Sequence, residues 1–167
     1  IDEPALDGLP LSFKWQGRTR DHCLASGLDD YPRAKHLPTL AKDKIPNAQQ
    51  QAKDDSDAVL KDLIPKIGEE GHVDLHAWMI VLAKTMGGLT DYLHQHRTAN
   101  NTQLPHDYSQ LSRVYLSYAN RLLETLFQLH WNPSKRTFAD YVYHKGKRSY
   151  VTHIGYVTLL PLFLNVL

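Results

Sequence analysis

The sequence predicts a mostly α-helical protein, and three observations carry that expectation. Two long stretches, near 74–93 and 107–128, space their apolar residues by three and four, the repeat that places them on one helix face. No alternation of strand-like and helix-like segments supports a parallel sheet. The β-branched and aromatic runs that could pair as strands are short and confined to the region around 140–152.

Residues 1–40 carry Pro4, Pro10, Pro32 and Pro38, and read as loop with short helical pieces. Residues 41–57 are polar and lack a core stripe, so a solvated insertion is expected there. A short amphipathic turn, 58–64, is stopped near Pro65 and Gly68. The first long helix has Asp74 as its expected N-cap and the stripe Leu75, Trp78, Met79, Leu82, Met86, Leu89 and Leu93. Ile80 and Val81 lie off that stripe, which predicts cover on more than one side. Gly87 and Gly88 sit inside it at about 1 kcal/mol each, implying either a close helix–helix approach or a break.

A polar connection over 97–106 leads to the second long helix, about 107–128, with the stripe Leu111, Val114, Tyr115, Tyr118, Leu122, Thr125, Leu126 and Leu129. Asn132-Pro133 is turn chemistry. Asp140-Tyr-Val-Tyr and Tyr150-Val-Thr are expected to pair as a small hairpin around Lys145-Gly146-Lys147. The apolar segment 155–167 reads as another helix, interrupted or started near Pro161. Its abrupt apolar end, with Ile1 at the other, is expected of an internal piece of a longer protein.

A net charge of +1, with lysines and arginines spread along the chain, gives no electrostatic case for nucleic acid or an anionic membrane. The single cysteine, Cys23, excludes an internal disulfide. No run of 18 apolar residues predicts a membrane span within the chain. His72/His76 and His94/His96 are the close histidine pairs, and neither has a third ligand of matching type nearby, so no metal and no cofactor are expected. Asn100-Asn101-Thr102 is an N-glycosylation sequon in a polar connection.

The chemistry points to the run Leu24-Ala-Ser-Gly-Leu-Asp-Asp-Tyr-Pro-Arg33. Gly27 can take a backbone shape closed to other residues, and Pro32 disfavours α geometry at Tyr31, so this is a loop that presents carboxylates. Read alone, Asp29 and Asp30 could also cap a helix and pair with Arg33.

This run resembles glycoside hydrolase family 63, the family of processing α-glucosidases. The resemblance extends over Phe13-Lys-Trp-Gln-Gly-Arg18, His72-Val-Asp-Leu-His-Ala-Trp-Met79 and Thr152-His-Ile-Gly-Tyr-Val-Thr-Leu-Leu-Pro-Leu-Phe163, in that order. It implies that residues 1–167 are an internal part of an (α/α)6 barrel catalytic domain, with a polar insertion near 41–57. It also implies removal, with inversion, of the terminal α-1,2-linked glucose from the triglucosylated N-glycan precursor. The implied setting is the endoplasmic reticulum lumen, with any membrane anchor outside this chain. The partners implied are the oligosaccharide and the rest of the same catalytic domain. Smaller α-glucosides or glycosylglycerates, or non-catalytic carbohydrate binding by a helical domain, are the alternatives.

Inversion needs two carboxyl groups about 6.5–9.5 Å apart on opposite sides of the sugar. Adjacent Asp29 and Asp30 therefore do not form the pair. The resemblance, shared more distantly with trehalases through a Ser-Gly-x-Asp turn, makes Asp29 the general acid. The base is then a Glu beyond this chain. Trp15, Arg18, Asp30, Arg33 and Trp78 are the candidate substrate-binding residues, because sugar sites combine aromatic faces with polar groups. Trp131 is expected to pack.

Overall fold

A computed structural model describes residues 11–16, 26–27, 70–100, 107–144, 147–151 and 153–167. Its frame is an antiparallel helix pair, α1 (Val73–Asn100) and α2 (Tyr108–His130). Asp107 caps α2 in an extended conformation, its carboxylate accepting from the backbone N–H groups of Ser109 and Gln110. The expected periodic face of α2 is the one it buries, through Tyr118, Leu122, Thr125 and Leu126. Burying Leu122 and Leu126 completely is worth about 2–3 kcal/mol each.

The first helix turns a different face inward than its large apolar residues predict. Val73, Ala77, Ile80, Ala83, Gly87 and Thr90 are buried, whereas Trp78, Leu82 and Leu89 are about half exposed. Small residues face α2 because they let two backbones approach. A Cβ on Gly87 would lie 2.7 Å from Leu116 Cγ, and the Ser112 hydroxyl donates to the Gly87 carbonyl at 2.9 Å. The Gly87-Gly88 pair thus marks a close approach, and α1 runs through it unbroken. Asp74 is not the N-cap. It lies in the first turn, and the Val73 N–H at the helix start donates to the carboxylate of distant Asp140 at 2.8 Å.

Two small sheets sit at this end of the pair. The strands β2 (Trp131–Asn132) and β3 (Thr137–Phe138) form a tight hairpin, its turn organised by the Asn132 side chain accepting from Ser134 and Lys135 N–H groups. The expected hairpin is present as β4 (Tyr141–His144) and β5 (Lys147–Tyr150), with Tyr141 opposite Tyr150; its second strand begins at Lys147, inside the expected turn, and ends at Tyr150 where the expected strand begins. A short strand, β1 (Glu70–Gly71), pairs with the other edge of β4. Gly71 is required there, because a Cβ would meet the Tyr141 ring at 2.3 Å. A 3-10 turn (Tyr156–Leu159) then runs into the short helix α3 (Leu160–Phe163) with Pro161 in its first turn, close to the expected start. Val157 and Val166 join the core of α1 and α2, and the Lys84 ammonium donates to the Val166 carbonyl at 3.2 Å. Among the described residues, no helix is long and apolar enough to cross a membrane. The expected insertion at 41–57 lies outside the described residues.

Candidate active site

Trp15 is fixed at two points by the start of α1. Its backbone N–H donates to His72 Nδ1 and its indole Nε1–H to Asp74 Oδ2, both at 2.9 Å. The His72 backbone N–H returns a bond to the Phe13 carbonyl at 2.9 Å. Upstream, the Ser12 hydroxyl bonds with the Tyr141 hydroxyl. The extended segment 11–16 is therefore held against both the helix start and β4. This explains Asp74 better than a cap does: its carboxylate holds the Trp15 indole.

The hydrogen bond from Trp15 requires a lone pair on His72 Nδ1, which places the ring proton on Nε2. That Nε2 faces Glu70 Oε1 at 3.1 Å, within ion-pair range but off the line of a directed hydrogen bond. Glu70, His72 and Asp74 are all buried, at 3%, 0% and 2% exposure. Charged and polar groups this deep persist only where partners hold them.

Next to this cluster the rings of Phe13, His76 and His130 meet edge to face, with centroids 5.5 and 5.0 Å apart, and Tyr141 lies tilted against His130 at 5.0 Å. The His76 Nε2–H donates to the Leu122 carbonyl at 2.8 Å and the His130 Nδ1–H to the Ala139 carbonyl at 3.0 Å. Burial lowers the pKa of His76 to about 4 and holds that of His130 well below its usual range, so both are neutral near pH 7. Among the described residues, no three His, Cys, Asp or Glu side chains converge to hold a metal ion.

Gly27 has φ +67°, in the left-handed region that favours glycine. Asp29, Asp30, Arg18 and Arg33 lie outside the described residues, as does Cys23. Trp78 sits one helical turn beyond Asp74 on the same side of α1, and is 47% exposed instead of packing in the core. Trp131 packs, with Phe138 at 5.1 Å and Phe127 at 6.5 Å between ring centroids. Glu124 is exposed on α2. Two residues that the sequence reading left unassigned proved central here: Asp140 as the cap of α1, and Glu70 behind His72. Asp140 has no local signal, because its partner is 67 residues away.

The family model described as "Glycosyl hydrolase family 63 C-terminal domain" matches residues 6–45 and 63–167. All six candidate site residues fall within those two stretches. A probable mannosyl-oligosaccharide glucosidase of Schizosaccharomyces pombe is 30% identical over 156 residues, covering 93% of this chain and 14% of the relative. The mannosyl-oligosaccharide glucosidase of Saccharomyces cerevisiae is 28% identical over 158 residues, with the same coverage of each chain. An Arabidopsis thaliana protein named alpha-glucosidase 2 is 24% identical over 188 residues, covering 93% of this chain and 19% of the relative. The chain thus spans 14–19% of the length of these curated relatives. With the family model matched on both sides of 46–62, the chain belongs to glycosyl hydrolase family 63.

Proposed function

We propose that residues 1–167 form part of the catalytic domain of an inverting α-glucosidase that removes the terminal α-1,2-linked glucose from the triglucosylated N-glycan precursor. The observation that carries this reading is the match, over 93% of the chain, to two relatives named mannosyl-oligosaccharide glucosidase. The proposed setting is the endoplasmic reticulum lumen, with any membrane anchor outside this chain.

Asp29 is the general acid, protonating the oxygen that leaves when the glucosidic bond breaks. Its carboxyl must stay protonated near neutral pH, which burial or the charge of Asp30 would favour. Arg33 serves Asp30 or the sugar hydroxyls, since contact with Asp29 would hold that acid ionised. Trp15 and Trp78 offer aromatic faces to the sugar, and Arg18 offers polar contacts. The base that activates water on the opposite face is a Glu elsewhere in the protein, so residues 1–167 alone release no glucose.

The wider architecture proposed is an (α/α)6 barrel, of which α1 and α2 are one antiparallel helix pair. Support comes from the outward face of α1: Leu82 and Leu89 are 51% and 49% exposed, apolar surface that neighbouring helices of the same domain would cover. The stretch 41–57 is proposed as an insertion, consistent with the interruption of the family match at 46–62.

The test is the stereochemistry of the first product in the complete protein. Proton NMR at early times should show β-glucose released from the α-linked terminus, because inversion reverses the anomeric carbon. First release of α-glucose would refute the inverting mechanism, and no glucose release by the intact protein would refute the activity.

A further inference from the structure

We propose that His72 and Asp74 are positioning residues that hold Trp15 as a fixed platform for the sugar, an inference that rests on the reading of Trp15 as a pocket residue. Three bonds converge on one short segment: Phe13 C=O, Trp15 N–H and Trp15 Nε1–H all engage residues 72 and 74, each at 2.9 Å. The anchors are buried at 0% and 2% exposure, so they are placed to act through Trp15 and not on a ligand.

Trp15 itself is only partly buried. The bond to Asp74 grips the indole at its Nε1 edge, which leaves the ring faces unobstructed by that contact. An indole N–H on a carboxylate is a charge-assisted bond, stronger than a neutral one, and it fixes the rotation of the ring. The second grip, His72 on the backbone, fixes where the ring starts. The backbone between the two anchors is itself held, because Asp140 secures the Val73 N–H, and Glu70 Oε1 lies 3.1 Å from His72 Nε2. A platform clamped this way meets each sugar in one orientation, without spending binding energy on ordering the ring.

The experiment measures kcat and KM of the complete protein on a triglucosylated oligosaccharide ending in α-1,2-linked glucose. The variants are Trp15→Ala, Trp15→Phe, Asp74→Ala, Asp74→Asn and the double variant Trp15→Phe/Asp74→Ala. Trp15→Ala and Asp74→Ala should each raise KM about tenfold, the worth of one hydrogen bond to a charged group, with kcat changing less. Asp74→Asn keeps an acceptor oxygen and should restore most of the loss. In the Trp15→Phe background, which has no N–H to hold, Asp74→Ala should add nothing.

If Trp15→Ala leaves both constants unchanged, the pocket reading of Trp15 fails. If Trp15→Ala raises KM while folded Asp74→Ala does not, the positioning role alone is overturned. An Asp74→Ala effect as large in the Trp15→Phe background as in the wild type also overturns it. Should Asp74→Ala not fold, Trp15→Phe against Trp15→Ala decides: wild-type KM in the former means the N–H grip is dispensable.

Discussion

His76 is fully buried, its Nε2–H held by the Leu122 carbonyl, and burial lowers its pKa from 6.5 to about 4. In the unfolded chain it returns to its ordinary value near 6.5 and binds a proton more readily. The folded state therefore has its full advantage above about pH 6.5 and loses it as the pH falls towards 4. The gap between 6.5 and about 4 is worth about 3 kcal/mol in total, of which about 2 kcal/mol is already lost at pH 5. His130 shifts in the same direction, so the acid loss of the wild type includes both. The perturbation is His76→Leu, which removes the titrating ring and costs a fixed amount at every pH through the lost bond to Leu122. Urea unfolding of both proteins at pH 7.5 and pH 5 isolates the His76 contribution. The wild type should lose about 2 kcal/mol more than the variant between the two conditions. Parallel losses would refute the claim that His76 is held neutral by burial.

Two further predictions follow from packing. Asp140→Ala removes the acceptor from the buried Val73 N–H and should destabilise the protein by about 2–4 kcal/mol, with Asp140→Asn costing less because it keeps an oxygen there; thermal unfolding of both variants checks the order. Gly88→Ala has open space around the new methyl group and should stabilise by about 1 kcal/mol, whereas the same change at Gly87 meets Leu116 and should gain less or lose, as denaturant midpoints would show.

The two long helices show why some of this fold was legible in the sequence and some was not. In α2 a single face is strongly apolar, so size and burial coincide and the stripe through Tyr118, Leu122 and Leu126 identifies the core. In α1 they part company. The inward face uses Ala77, Ala83, Gly87 and Thr90 to bring α2 close, and its bulkier Trp78, Leu82 and Leu89 point away from it. A stripe weighted by size selects the wrong side of such a helix. The hairpin of β4 and β5 was readable because its turn and both strands are contiguous. The pairing of β1 with β4 and the Asp140 cap join residues about seventy positions apart and leave no local trace.

The site divides along the same line. The left-handed Gly27 follows from a glycine in a turn-rich run, and its φ of +67° agrees. That Asp74 grips the Trp15 indole could not be read from spacing, since an acidic residue in a first helical turn is ordinarily explained by the helix dipole. The histidines at 72 and 76 suggested at most a weak metal pair. Their bonds instead give them separate tasks, His72 to Trp15 and His76 to Leu122.

The central claim is that Asp29 supplies the proton to the departing oxygen. Hydrolysis by the complete Asp29→Asn protein, compared between the glucosylated oligosaccharide and α-glucosyl fluoride, tests it most directly, because fluoride departs without protonation. The account predicts a loss of about 10²–10⁴-fold on the oligosaccharide and a far smaller one on the fluoride. Equal losses on both substrates, or none on the oligosaccharide, would contradict it.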